Sequence, residues 1–168
     1  MDKQAFFKLS YGVYIITSAV DGKYSGQIAN TVFQVASEPP TLAVCINRQN
    51  LTHEFVTASK SVAVSVLSEN VPMTTIGLFG FKSGRNVNKF ENANCKSGVT
   101  GAPIVLDYSV AYLEMKITQA VDCGTHTLFI GEVVDCGTLS DDPPMTYAYY
   151  HLVKGGKSPK TAPTYIKE

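Results

Sequence analysis

The 168-residue chain holds only two arginines, three histidines and four cysteines, and no two cysteines form a Cys-x-x-Cys pair. Each scarcity excludes something. Cys45, Cys95, Cys123 and Cys136 lie far apart, and His53, His126 and His151 are the only other soft ligands, so a zinc or iron–sulfur site has no framework. The cysteines read instead as reduced, mostly buried thiols. No Gly-x-Gly-x-x-Gly and no Walker-type glycine loop occurs, which excludes a Rossmann dinucleotide site. No Gly-x-Ser-x-Gly elbow is present either, and hydrolase chemistry finds no support. Apolar runs are too short to span a bilayer. Basic and acidic residues number 14 each, and a net charge of zero argues against electrostatic binding of nucleic acid. Any anion site must therefore be local. Met1-Asp2-Lys3 leads into no long apolar segment with a cleavage site, so a cytoplasmic location is expected.

What is present suits one globular domain. Apolar residues make up 45% and charged residues 17% of a chain of single-domain length. Short β-rich runs dominate, punctuated by turn residues. Tyr11 to Ser18 stops before the hairpin signal Asp21-Gly22, and Tyr24 to Ser37 follows as one long extended stretch halted at Glu38-Pro39-Pro40. Thr41 to Asn47 and Ser61 to Leu67 are almost continuously apolar with β-branched residues, as expected of strands buried on both faces or lining a barrel. Val110 to Thr118 alternates, with Tyr112, Glu114, Lys116 and Thr118 on its expected solvent face. His126 to Cys136 is a further strand. Two segments predict helix: Leu51 to Ser59 behind Asn50 as N-cap, and Val71 to Leu78 with Pro72 in the first turn.

The chemistry concentrates where the runs Gly26 to Ser37 and Thr41 to Asn47 flank a Pro-Pro break. Asn30 and Thr31 on one side, with Asn47, Arg48, Asn50 and Thr52 on the other, are small polar or cationic groups suited to a phosphate and a ribityl chain. Together they predict a cradle for a flat, anionic cofactor such as a flavin. The strand end at Asn47-Arg48-Gln49-Asn50 opens a helix, and free N–H groups at a helix start favour an anion. Read alone, this segment favours Asn50 as a surface cap and Arg48 as a solvated cation, and only its combination with the other segments points to an anion site. Arg85 sits in a comparable loop, Ser83-Gly84-Arg85-Asn86, and guanidinium groups fork onto phosphate.

In order and spacing, these residues resemble the flavin reductase-like family with its FMN-binding split β-barrel. The resemblance runs from about Phe6 to Val153. It is carried by Tyr11-Gly-Val-Tyr-Ile-Ile-Thr17, Asn30-Thr31 with Pro39-Pro40, Ile46-Asn47-Arg48, Leu51-Thr52, Ser83 to Phe90, and His126-Thr-Leu-Phe-Ile-Gly131-Glu132-Val133. The chain departs from it at Asn86-Val87-Asn88, where relatives commonly carry acidic residues. The resemblance implies a mainly β, Greek-key split barrel over residues 1–154 with a tail at 155–168. The tail is similar to a segment that leads into a rubredoxin domain in some relatives.

By the same resemblance, Asn30, Thr31, Val32, Phe33 and Gln34 run along the flavin ring and ribityl chain. Ile46, Asn47, Arg48, Asn50, Leu51 and Thr52 face the phosphate, Ser83, Gly84 and Arg85 join the same pocket, and Lys89 is a further candidate. His126 is implied as the catalytic-side residue beside the ring, or else a strand-end histidine held by a carbonyl. Phe33 either packs on the isoalloxazine or is a core residue. The implied activity is hydride transfer from NAD(P)H to FMN, with FAD as the other flavin, in a cytoplasmic homodimer that binds no metal, nucleic acid or membrane. The alternative is an electron-transfer flavoprotein serving a partner such as rubredoxin. The cofactor carries the chemistry, so no strong acid–base pair is needed. A haem-binding split barrel fits less well, because no histidine sits in an axial-ligand context.

Overall fold

A computed structural model describes residues 1–165. After a 3₁₀ turn at Lys3–Lys8, nine strands follow: β1 (Tyr14–Val20), β2 (Lys23–Ala29), β3 (Val32–Ser37), β4 (Pro40–Asn47), β5 (Ser61–Leu67), β6 (Cys95–Ser97), β7 (Pro103–Val105), β8 (Ser109–Cys123) and β9 (His126–Thr138). Three helices punctuate them: α1 (Leu51–Ser59), α2 (Met73–Phe81) and α3 (Tyr147–Leu152). Seven strands form one antiparallel sheet in the order β2-β1-β5-β8-β9-β4-β3, and β6 pairs with β7 apart from it.

The edge strands of that sheet, β2 and β3, are consecutive in the chain. The sheet therefore curls until its two edges meet at Asn30-Thr31, the split of a split barrel. The expected single stretch from Tyr24 to Ser37 is in fact two strands. Asn30 ends the run paired with β1, and the Thr31 carbonyl already accepts the Cys45 N–H of β4 at 3.1 Å. A local extended pattern cannot show that a chain changes neighbours midway.

Strong local signals set several boundaries. Asp21 and Gly22 both take positive φ, 50° and 73°, as a two-residue hairpin turn demands, and Val20 pairs with Lys23. Helix α1 ends at Lys60, a left-handed residue whose N–H donates to the Val56 carbonyl at 3.0 Å. Val56 is buried and closes one end of the barrel over Ile16, Val44, Ile46, Val64 and Phe129. A second apolar cluster, with Val13, Ile76, Phe79 and Tyr150, fixes α2 and α3 against the β1 side. Helix α2 starts at Met73, with Pro72 as its N-cap, two residues later than expected.

Three expectations need correction. Helix α3 was not anticipated in the aromatic run Tyr147-Ala-Tyr-Tyr-His-Leu152; Thr146 caps it, its Oγ1 accepting the Tyr149 N–H at 3.1 Å. Strand β8 runs well past Thr118, and Glu114 on its supposed solvent face is fully buried beneath the β6–β7 loop. The thiols are not mostly buried, since Cys123 and Cys136 are exposed and Cys45 and Cys95 intermediate. Among the described residues no helix is long and apolar enough to cross a membrane, and no group of three or more His, Cys, Asp or Glu comes together.

Candidate functional site

Beside the β2–β3 break, a cavity of about 390 Å³ opens between the segment Ser25 to Asn30, the β4–α1 corner and the end of α2. Its first wall is a strand edge, and its second is the start of a helix. The N–H groups of a first helical turn lack intrahelical acceptors, and the corner is knit by side chains rather than by a cap. The Gln49 N–H donates to Asn47 Oδ1 at 3.0 Å. Asn50 stands at the N-cap without capping; its Nδ2 crosses to Gln27 Oε1 on β2 at 3.0 Å. Ser25 Oγ and Thr52 Oγ1 meet at 3.0 Å, again bridging strand and helix.

The cation at this end is Lys89. It is buried, and its Nζ donates to the Gly26 carbonyl at 2.9 Å and the Phe79 carbonyl at 3.0 Å. An ammonium has three donors, so one remains for the cavity that Lys89 lines. Burial lowers its pKa to about 8. Lys82, Lys157 and Lys160 also line the cavity, and no aspartate or glutamate does. In a chain of zero net charge, that is a concentrated positive field.

The opposite end closes around Asn30. Its Nδ2 donates to Thr164 Oγ1 at 2.9 Å, and its Oδ1 accepts from Thr31 Oγ1 at 3.1 Å. Thr164 belongs to the tail, which folds back over the cavity. Tyr147 OH ties that tail twice, to Ser158 Oγ and, at 2.9 Å, to Thr164 Oγ1. His126 lies beyond the cavity wall, with Nδ1 2.8 Å from Thr125 Oγ1 and Nε2 3.2 Å from the Thr161 carbonyl of the tail. The Nε2 contact to a carbonyl requires an N–H there, so the tail selects the tautomer.

Of the residues expected to bind the cofactor, Asn30, Asn47, Asn50, Leu51, Thr52, Ser83, Gly84 and Lys89 line this one cavity. The others lie elsewhere. Ile46 points into the barrel and Val32 packs against the same core, while Thr31 contributes through Asn30. Gln34 is exposed and bonds the Ala36 carbonyl. Phe33 is 49% exposed on edge strand β3, so it is not the core residue of the alternative reading. Arg48 Nη1 is occupied by the Asp122 carboxylate at 3.2 Å and the Gly124 carbonyl at 3.3 Å. Arg85 pairs with Glu54 and borders a neighbouring groove of about 660 Å³. That pairing holds the Glu54 carboxyl below its ordinary pKa.

Sequence reasoning put the positive charge on Arg48 and Arg85 with Lys89 as a further candidate; of these only Lys89 lines the cavity, together with Lys82, Lys157 and Lys160. Lys157 and Lys160 arrive through the tail's return, for which no local signal exists. Cys45 was also missed as a lining residue; alternation along β4, which puts Leu42, Val44 and Ile46 inside, would have turned it outward. Burial, and to a lesser degree Cys123, raise its thiol to about 11. It stays protonated at neutral pH and is a poor nucleophile.

A profile described as flavin reductase like domain matches residues 6–156. The high molecular weight rubredoxin of Moorella thermoacetica is 53% identical over 98% of this chain and 72% of its own length. The ferric-chelate reductase (NAD(P)H) of Archaeoglobus fulgidus is 49% identical over 99% of both chains. Among solved structures, the NADH:FAD oxidoreductase SgcE6 of Streptomyces globisporus superposes with a TM-score of 0.77 at 27% identity, covering 86% of this chain and 85% of that one. The flavin reductase HpaC complexed with NADP+ gives 0.74 at 27% identity, over 86% and 90%.

Proposed function

The chain belongs to the flavin reductase-like family, and from that premise we propose that its cavity binds FMN and that the protein is an NAD(P)H-dependent flavin reductase. The observation that carries the reading is the cavity itself: a helix start and buried Lys89 at one end, amide and hydroxyl groups along the wall, and no carboxylate in the lining. That donor set fits a flat ring carrying a polyol and a terminal phosphate. Lys89, Ser25, Thr52 and the opening turn of α1 hold the phosphate, Gln27 and Asn50 face the ribityl chain, and Asn30 orients the ring edge. Bound flavin supplies the redox chemistry, taking hydride from NAD(P)H and passing electrons to an acceptor. The chain's own residues bind, orient and exclude water, which is why the site contains no acid–base dyad.

Thr52→Val is expected to weaken FMN binding by about 1.5–3 kcal/mol, the worth of a hydrogen bond to a charged group. Arg48→Ala, which removes an exposed ion pair outside the cavity, is expected to change it by less than about 1 kcal/mol. Fluorescence titration of FMN against the two variants checks both, and equal losses would refute this placement of the phosphate.

A second copy of the chain is assigned to the β3 face. Phe33 and Val35 are 49% and 50% exposed on an edge strand, a combination that isolated chains avoid. Four free thiols with no disulfide among the described residues support a cytoplasmic setting.

The name of the Moorella relative favours one second reading, in which electrons are exchanged with a rubredoxin-type protein. Anaerobic spectra of the FMN-loaded protein separate the two. Bleaching of the flavin by NADH or NADPH within seconds is expected. Flavin that is untouched by both, yet reduced by reduced rubredoxin, would leave only the carrier.

A further inference from the structure

The tail places two exposed cations, Lys157 and Lys160, on the cavity at the end where a flavin has no charge to offer them. The two ends are separated along β2. Five residue steps from Ser25 to Asn30 span about 16 Å at strand rise. Ser25, Thr52 and Lys89 mark the phosphate end. Asn30 marks the other, and the tail is fastened there through Thr164 to Asn30, Thr161 to His126 and Ser158 to Tyr147. Lys160 adjoins Thr161 and Lys157 adjoins Ser158, so both lysines belong to the ring end. Neither forms an ion pair among the described residues.

We propose that the folded-back tail is the docking segment for the nicotinamide donor, with Lys157 and Lys160 holding its diphosphate while the nicotinamide reaches the ring beside Asn30 and His126. This rests on the flavin reductase reading of the same cavity. A dinucleotide carries at least two negative charges on its diphosphate, and two ammonium groups on a strap of fixed path meet that demand without the glycine-rich loop that the sequence lacks. The lysines therefore distinguish the donor from the cofactor, whose own phosphate is held at the far end. FAD would bring the same diphosphate chemistry, so the test must tell the two sources apart.

The test uses the FMN-loaded full chain and its Lys157→Ala/Lys160→Ala variant. NAD+ and NADP+, which cannot reduce the flavin, are titrated against the visible flavin spectrum, and FMN and FAD affinities are measured by fluorescence. The expected result is dinucleotide binding weakened tenfold or more, KM for NAD(P)H raised in parallel, and FMN and FAD affinities both within twofold of the parent. Unchanged NAD+ and NADP+ binding would overturn the proposal. So would a selective loss of FAD affinity, which would give the lysines to the flavin's diphosphate, or a loss of FMN affinity, which would give them to the cofactor phosphate. Failure of the underlying reading looks different: the parent protein itself would bind FMN yet stay unbleached by NADH and NADPH.

Discussion

FMN affinity is expected to be flat between about pH 7 and 8 and to fall roughly tenfold per pH unit above it, because the phosphate binds the protonated form of Lys89. The ordinary lysine pKa is 10.5, and burial brings Lys89 down to about 8. In the free protein the ammonium therefore loses its proton as pH rises through about 8. A bound anion restores that proton, so proton uptake accompanies binding above this value and affinity drops. The second phosphate ionisation, near 6, is complete before the window opens and contributes nothing to the slope.

Folding responds in the opposite sense. Between about 8 and 10.5 the unfolded chain holds one more proton than the folded chain at this position, so the stability of the flavin-free protein rises with pH over that interval. Opposite slopes from one group are a stringent signature. Lys89→Met, which keeps the apolar stem, should abolish the pH dependence of affinity. It should also cost about 1–3 kcal/mol of stability for each of the Gly26 and Phe79 carbonyls left without a donor. Fluorescence titrations from pH 7 to 9.5 on both proteins decide the matter, and a flat profile in the parent would remove Lys89 from the phosphate site.

The second large effect is on the fold alone. Glu114→Ala is expected to destabilise the protein by roughly 3–5 kcal/mol, which lowers the melting temperature by about 10 °C or more at this chain length. The fully buried Glu114 carboxylate accepts the Val99 N–H at 2.8 Å, the Thr100 N–H at 3.0 Å and the Thr100 hydroxyl. These bonds seat the β6–β7 loop, whose Ala102 packs with Ala63 and Ile104. Truncation removes the shared acceptor of two part-buried backbone N–H groups and a hydroxyl at once, and it leaves a void where the fully buried side chain stood. Glu114 does not line the cavity proposed for FMN. FMN affinity of the folded variant should therefore match the parent at low temperature. A melting temperature within about 3 °C of the parent would show that the loop finds other acceptors.

How far the sequence could be read follows from whether each signal was local. Strand β5 and helix α1 coincide with the expected Ser61–Leu67 and Leu51–Ser59, because an apolar run with valine at every second position and a helical run behind Asn50 are each complete within a few residues. The Asp21-Gly22 turn was equally self-contained. The charge distribution was not. Arg48 and Arg85 looked free because their partners stand 74 and 31 residues away. Lys89 stood only as a further candidate, because the two acceptors that bury it belong to β2 and α2. Glu114 fell on the polar side of a correct alternation, and only the covering loop turned that side inward. The cavity's location at the β2–β3 break was legible as a run of small polar residues, whereas its electrostatic sign was set by contacts across the fold.

The split at Asn30-Thr31 leaves β2 as an edge strand, with backbone groups that no neighbouring strand takes up. Such an edge invites strand addition by another chain and, from there, aggregation. Here the Gly26 carbonyl is capped by an ammonium rather than by a peptide, and a buried cation at an edge repels a hydrophobic intruder. Lys89→Met, which frees that carbonyl, is therefore expected to raise self-association of the flavin-free protein as well as to change its affinity for FMN.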